Sequence, residues 1–266
     1  MKTLSSEFKT SLQTTLKSAE HLADFTALLK VLQECGFYGI ELNLPQLDAI
    51  TPESLRKLLE SYGLRFHMLA TGAYAKMRGL SLSDSNAQKR LASVEGAKEN
   101  IDYAAQMGAG IILGFFKGPK DGAPNARELL IESLRELGPY AMQKGTPILL
   151  EATNKRETNV VNTMEDALSI IKEVGCLNIK PLLDTYHLDI EEPTVADTLR
   201  TYANDVVYLH ISDNTRNFPG LGSLDFAQIY NCLRQIKFKG FLTIEGNLQT
   251  SEIDDVLKSV EYLSKL

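Results

Sequence analysis

Four acidic or histidine side chains follow short apolar runs in the second half of the chain. PILLE ends at Glu151, KPLLD at Asp184, VVYLH at His210 and FLTIE at Glu245. One carboxylate after an apolar run often caps a helix or a turn, but four in succession are hard to explain that way. Crowded carboxylates repel one another unless protons or a cation compensate their charge. The pattern therefore predicts a site for one divalent metal ion.

The ligand types also indicate which ion. Oxygen-rich ligation with one nitrogen and no sulfur suits Mn²⁺, Mg²⁺ or Co²⁺ better than a structural zinc site. We expect the site to bind Mn²⁺. Mg²⁺ and Co²⁺ are the alternatives, and Zn²⁺ is not excluded.

Three more polar side chains lie shortly after these runs: Glu157, His187 and Arg216. Each has a plain structural alternative, because Glu157 could be a solvated loop charge and His187 could pack locally. Arg216 could pair with Asp213. Behind Arg216, the residues Pro219, Gly220 and Gly222 would shape the loop, since proline restricts the backbone and glycine permits unusual turns.

Other residues near the predicted strand ends have weaker signals. His67 and His21 are expected to be structural, and Phe115 or Phe116 could form the wall of a pocket. Four basic residues are available for a charged ligand, although each could equally be a surface charge: Lys76, Arg78, Lys117 and Lys155.

The elements that must position these residues are eight strands alternating with helices. The strand candidates are 8–15, 37–44, 64–71, 109–116, 146–152, 179–185, 206–212 and 241–247. Helical spacing of apolar residues covers 23–36, 51–63, 97–109, 126–145, 163–175 and 251–266. Gly36 is a helix C′ candidate, and Thr51 with Pro52 forms a helix start.

Strands that alternate with helices pair in parallel, because a parallel connection needs a crossover. Eight such units match a single α/β domain over residues 1–266, a (β/α)₈ TIM barrel whose strand ends surround one mouth. An open doubly wound sheet is the main competitor. No GxGxxG follows the first strand and no P-loop occurs, which disfavours its nucleotide-binding forms.

Composition limits the function classes. The formal net charge of -6 argues against a general nucleic-acid binder, and the three cysteines include no CxxC pair, which indicates reduced thiols. No apolar run approaches the length of a membrane span, and the N-terminus lacks the apolar core of a signal peptide. We expect a cytoplasmic protein without membrane or nucleic-acid partners.

Four segments resemble a known family. LLEATNKRETNVVNT, LLDTYHLDIEE, YLHISDNTRNFPGLGSLDF and TIEGN together resemble the sugar isomerase/epimerase superfamily of xylose isomerase-like TIM barrels. Within it they are similar to the ketose 3-epimerase group, which includes D-tagatose and D-psicose 3-epimerases. Related epimerases share GLSLS, found here at 79–83. The resemblance runs from the second strand to the C-terminus, but the loops after strands one and four differ and contain no tryptophan.

The resemblance implies roles for the residues above. Glu151, Asp184, His210 and Glu245 match metal ligands, and Glu151 with Glu245 also matches the paired acid/base carboxylates. Three positions match groups that hydrogen-bond the sugar: Glu157, His187 and Arg216. The implied partner is a small sugar, and the implied assembly is a homodimer or homotetramer.

The implied chemistry suits these residue types. Inverting a carbon beside a ketone requires two bases on opposite faces, and a metal stabilises the enediolate between them. Alternatives on the same site are an aldose–ketose isomerase and a keto-sugar-acid epimerase. Two further alternatives are an endonuclease IV-like DNA-repair enzyme, which would need more histidines, and a non-catalytic sugar-binding protein.

Overall fold

Eight parallel strands form a closed barrel in the computed structural model, which describes residues 2–266. Each strand pairs with the next along the chain, and the last pairs with the first. The strands are β1 (Lys9–Thr15), β2 (Gly39–Asn43), β3 (Arg65–Ala70), β4 (Gly110–Leu113), β5 (Ile148–Glu151), β6 (Ile179–Asp184), β7 (Tyr208–Ile211) and β8 (Phe241–Ile244). The predicted TIM barrel is confirmed.

Helices connect the strands on the outside of the barrel. They are α1 (Leu22–Glu34), α2 (Pro52–Ser61), α3 (Gly72–Arg78), α4 (Ala87–Gln106), α5 (Ala126–Gln143), α6 (Met164–Val174), α7 (Thr185–Glu191), α8 (Val195–Thr201), α9 (Phe226–Gln235) and α10 (Glu252–Leu263). Among residues 2–266, no helix combines the length and the apolar character needed to cross a bilayer.

Local signals in the sequence account for several helix ends. The Thr51 side chain accepts a hydrogen bond from the backbone N–H of Ser54 at 3.2 Å, and Pro52 opens α2. Gly36 has a φ of 78° two residues after the end of α1, a conformation that glycine adopts without strain. The predicted helix start and stop are both present.

Two details differ from the sequence-based expectations. The fourth strand stops at Leu113, and Phe115–Lys117 forms a short 3₁₀ turn instead of continuing the strand. Helices α3, α7, α8 and α9 were not predicted. The first three have only seven residues each, and helices this short show little periodicity.

The interior of the barrel has an apolar part and a polar part. Six buried side chains make up the apolar part: Met68, Ala70, Ile112, Leu149, Leu182 and Tyr208. Polar side chains of β1, β2, β3, β7 and β8, which hydrogen-bond to one another, occupy the remaining space. All strands are parallel, so all their carboxyl ends meet at one rim, which is where TIM-barrel active sites lie.

Candidate active site

The four predicted ligand residues lie together at this rim. Glu151, Asp184, His210 and Glu245 each offer a ligand atom, and these atoms all lie within 4.8 Å of one another. An ion with oxygen and nitrogen ligands at about 2.0–2.3 Å holds them roughly 3–4.5 Å apart. The spacing therefore fits a single cation.

Three atoms of this cluster are buried and lack a hydrogen-bond partner. They are Glu151 Oε1, His210 Nδ1 and Glu245 Oε2. His210 Nδ1 lies 2.5 Å from Glu245 Oε2 and 3.8 Å from Glu151 Oε1, without an aligned hydrogen bond to either. Buried polar atoms are almost always paired in native proteins. These three atoms can all serve as metal ligands, and a cation bound between them would supply the partner that each one lacks.

Asp184 both belongs to this cluster and caps a helix. Its Oδ1 accepts hydrogen bonds from the backbone N–H of Tyr186 at 2.8 Å and from the Ser212 hydroxyl at 2.9 Å. Its Oδ2 faces the cluster, 4.0 Å from His210 Nδ1. The capping role and the ligand role are compatible, because they use different oxygens.

Arg216 contacts two of the predicted ligands. Its Nη1 lies 2.5 Å from Asp184 Oδ2, and its Nη2 lies 2.9 Å from Glu245 Oε1. The alternative pairing with the Asp213 side chain is not observed, since only the Arg216 backbone N–H bonds to Asp213, through its carbonyl oxygen. The guanidinium also lines the cavity beside the cluster, so it is placed to reach a ligand there.

Asp213 organises the loop that carries Arg216. The buried carboxylate accepts hydrogen bonds at 2.9–3.0 Å from the backbone N–H groups of Asn214, Gly220, Gly222 and Leu224. Gly220 has a φ of 88°, and a Cβ on Gly222 would collide with the Asp213 carboxylate. The Pro-Gly-x-Gly sequence is thus needed for the loop to wrap around one acid.

His187 is a neutral hydrogen-bond donor facing the cluster. Its Nδ1 accepts from the backbone N–H of Asn154 at 3.3 Å, so the proton resides on Nε2, which lies 3.9 Å from Glu151 Oε1. Burial lowers the pKa of His187 to about 4, which keeps the ring uncharged at neutral pH. Glu157 is exposed at the edge of the same cavity.

The two predicted acid/base carboxylates differ electrostatically. Burial, together with repulsion from Glu245, raises the pKa of Glu151 to about 7. Burial acts in the same direction on Glu245, but Arg216 and His210 outweigh it and lower the pKa of Glu245 to about 2. These directions apply to the protein without a metal ion.

The site carries more negative than positive charge. Four buried or half-buried carboxylates lie in or beside the cluster, namely Glu41, Glu151, Asp184 and Glu245. With every carboxylate ionised and His210 neutral, the forms that bind a metal ion, Arg216 and the fully buried Lys117 supply two positive charges against four negative ones. Burial opposes a charge on His210, yet Glu41 and Glu245 raise its pKa well above the usual value. A divalent cation would neutralise the excess.

Sequence reasoning missed Glu41 altogether. This carboxylate is fully buried on β2, and its Oε2 accepts a hydrogen bond from His210 Nε2 at 3.0 Å. The signal in the sequence was a charged residue inside the apolar run FYGIELNL, where a buried strand would not otherwise place one.

The basic residues considered for a charged ligand are mostly engaged elsewhere. Lys117 is fully buried and donates to Thr153 Oγ1 at 2.7 Å and to the Gly114 carbonyl at 3.1 Å. Lys155 pairs with Glu191 at 3.1 Å, and Arg78 donates to the Pro45 carbonyl at 2.6 Å. Lys117 therefore belongs to the support of the site rather than to its surface.

Two cavities with shared lining residues adjoin the cluster. The smaller, about 210 Å³, contains Glu151, Glu157 and His187 in its wall, along with half-exposed Phe115. The larger, about 660 Å³, extends between α1 and the loops after β1 and β8. Arg216 and Glu245 line both. Phe116 is fully buried, so of the two phenylalanines only Phe115 can contact a ligand.

Comparisons with known proteins agree with this architecture. The chain is 31% identical over 227 residues to the L-ribulose 3-epimerase of Methylomonas sp. (strain DH-1), a match covering 83% of this chain and 77% of that protein. It is 27% identical over 234 residues to the 3-dehydro-D-guloside 4-epimerase of Escherichia coli (strain K12), covering 84% and 87% respectively.

Among solved structures, a D-allulose 3-epimerase from Methylomonas sp. is similar, with 26% identity and a TM-score of 0.80 over 99% of both chains. The family described as xylose isomerase-like TIM barrel matches residues 29–266. The resemblance expected from the sequence is confirmed, and the chain belongs to the xylose isomerase-like TIM barrel family.

Proposed function

We propose that the protein is a metal-dependent epimerase that inverts the carbon beside the ketone of a ketose or related keto-sugar. The observation that carries this proposal is the convergence of Glu151, Asp184, His210 and Glu245, with three unpaired donor atoms facing one point. The activities of two relatives, an L-ribulose 3-epimerase and a 3-dehydro-D-guloside 4-epimerase, support the same reaction type.

These four residues would hold the ion. When bound, a divalent ion supplies Lewis-acid stabilisation of the negative charge that develops on the ketone oxygen. Mn²⁺ remains our first choice, with Mg²⁺ or Co²⁺ as alternatives, since three carboxylates and one imidazole without sulfur suit these ions.

Glu151 and Glu245 are the proposed proton-transfer groups. One carboxylate removes the proton from the carbon beside the ketone, and the other returns a proton to the opposite face. A single base would tend to return the proton to the face it came from, without inversion. Strands β5 and β8 are separated by β6 and β7, so the two carboxylates approach the sugar from different sides of the mouth.

Three polar groups would orient the sugar. The neutral His187 carries its free proton on Nε2, and Arg216 presents its guanidinium to the smaller cavity. The exposed Glu157 at the cavity edge can accept a hydrogen bond from a sugar hydroxyl. We assign these residues to substrate binding, and we expect the active assembly to be a homodimer or homotetramer.

The larger cavity favours a second candidate substrate, a keto-sugar that carries a glycosidic substituent. Pockets of about 300–1,000 Å³ suit drug-sized ligands, and the two cavities here measure about 660 and 210 Å³. The smaller one alone would suit a single sugar ring. One relative is named for a 3-dehydro-guloside, which has such a substituent.

The test is solvent labelling in deuterium oxide with Mn²⁺ and a panel of free ketoses, keto-sugar acids and keto-glycosides. An epimerase incorporates deuterium at the inverted carbon beside the ketone, and the product keeps its ketone. An aldose as product, formed by proton transfer between the two carbons of the carbonyl–hydroxyl pair, would instead establish the aldose–ketose isomerase alternative. Absence of exchange with every sugar would reject both and favour a binding protein.

A further inference from the structure

A chain of polar side chains crosses the interior of the barrel below the proposed metal site. The Ser11 hydroxyl lies 2.7 Å from His67 Nε2, and His67 Nδ1 lies 2.7 Å from the Tyr208 hydroxyl. Tyr208 contacts Glu41 Oε1, and Glu41 Oε2 lies 3.0 Å from His210 Nε2. The chain thus connects residues of four strands, β1, β3, β7 and β2, to one predicted ligand, His210.

The hydrogen-bond directions in this network can be worked out from a fixed donor. The backbone N–H of Ala73 donates to Asn43 Oδ1 at 3.3 Å, so the amide nitrogen of Asn43 points the other way and donates to Gln13 Oε1 at 2.9 Å. Gln13 must then use its own amide nitrogen to donate to Glu41 Oε2, at 3.0 Å.

Glu41 therefore acts as an acceptor from three sides. Gln13, the Tyr208 hydroxyl and His210 Nε2 all approach its two oxygens. Since the Tyr208 proton is directed to Glu41, His67 Nδ1 donates to the Tyr208 oxygen, and His67 Nε2 accepts from Ser11. In this arrangement every member from Ser11 to Glu41 has its hydrogen-bond partners, as buried polar networks require, and His210 Nδ1 at the end of the chain is left for the metal site.

We propose that Glu41 is a positioning residue for the metal site. It holds the proton of His210 on Nε2, so that the lone pair of Nδ1 faces Glu151, Asp184 and Glu245. A carboxylate partner also raises the basicity of a metal-binding imidazole, and loss of such a partner typically weakens metal affinity about 10–100-fold.

The backbone of the barrel is shaped for this network. The pairing of β2 with β3 shifts between Ile40 and Glu41, which leaves His67 without a partner on β2. Bulges of this kind redirect side chains and occur often beside active sites. The bulge lies at His67, whose side chain contacts Tyr208. Tyr208 contacts Glu41 in the same network.

The inference rests on the proposed metal site but not on the proposed reaction, so the test measures metal binding without sugar. Calorimetry with Mn²⁺ should show that Glu41→Gln binds about 10–100-fold more weakly than the wild type. Asp255→Asn is the matched control, because Asp255 is also a fully buried carboxylate but accepts hydrogen bonds from Gln249 and Thr250, outside the cluster. It should lose stability but keep its Mn²⁺ affinity.

A second readout reports the imidazole itself. The chain has four histidines, so nitrogen-15 NMR with Mg²⁺, which is not paramagnetic, can follow each ring. In the wild type His210 should carry its proton on Nε2 and bind through Nδ1. In Glu41→Gln this signature should be lost or mixed.

Unchanged Mn²⁺ affinity together with an unchanged His210 tautomer in Glu41→Gln would overturn the proposal. If Glu41→Gln does not fold, Glu41→Asp carries the same test, because the shorter side chain withdraws the carboxylate from Nε2. Wild-type affinity in that variant would also overturn it. Failure of the proposed epimerase reaction would be visible separately, as intact metal binding without exchange on any sugar.

Discussion

Glu151 and Glu245 lie in different surroundings, although both are carboxylates of one cluster. Glu151 is nearly buried beside Gly114, where a Cβ would collide with its carboxylate, and Lys117 lies close behind it. Glu245 is more exposed and is paired with Arg216 at 2.9 Å. Because their surroundings differ in this way, one carboxylate is suited to remove a proton and the other to return one.

The first prediction concerns these two residues. Glu151→Gln and Glu245→Gln should each lose inversion by about 10²–10⁴-fold, the usual contribution of one acid/base group. Each variant retains one carboxylate, so each should still exchange the proton of the epimer whose hydrogen faces it. Proton NMR in deuterium oxide would then show opposite epimer preferences. If both variants exchange the proton of the same epimer, Glu151 and Glu245 do not act on opposite faces of the carbon.

The second prediction concerns Arg216. Arg216→Ala should keep the metal ion, because removing a positive charge 2.5 Å from Asp184 does not reduce the attraction of the site for a cation. Turnover should fall by about 10²–10³-fold, comparable to losing one donor aimed at developing charge. Metal analysis after dialysis and steady-state kinetics measure both. Loss of the ion with the guanidinium would assign Arg216 to holding the ligands instead.

At the scale of elements, helix α1 forms one wall of the larger cavity. Ala27 lines that cavity and is exposed, so Ala27→Trp should partly fill it without disturbing the barrel. We expect KM for a keto-glycoside to rise roughly tenfold or more, while KM for a free ketose stays unchanged. Ala23→Trp, on the same helix and outside the cavity wall, is the control. An equal effect on both substrates would argue against binding of the glycosidic substituent in the larger cavity.

The strands and the residues at their carboxyl ends could be predicted from the sequence for a physical reason. Strands buried on both faces appear as apolar runs, and their carboxyl ends must meet at one rim, so Glu151, Asp184, His210 and Glu245 could be grouped without coordinates. Glu41 could not be grouped with them, because its partner His210 lies 169 residues away and Glu41 sits inside a strand rather than at its end. The burial of Lys117 likewise depends on the unpredicted turn after β4.

At the scale of the whole molecule, the proposed ion should contribute to stability. The cluster joins the ends of β5, β6, β7 and β8, half of the strands of the barrel. Unfolding disperses these ligands along the chain, so an ion binds the folded state preferentially and stabilises it by mass action. At a free concentration 100 times Kd the contribution is about 2.7 kcal/mol.

The last prediction is therefore a metal-dependent Tm. For a chain of this size each kcal/mol moves Tm by roughly 2–4 °C, so Mn²⁺ at about 100 times Kd should raise Tm by about 5–10 °C above the EDTA-treated protein. Scanning calorimetry measures this shift directly. His210→Ala removes the only imidazole of the cluster and should show little or no shift with Mn²⁺, whatever its own Tm is. An equal shift in His210→Ala would mean that the ion acts elsewhere on the protein, and the absence of a shift in the wild type would contradict the metal site.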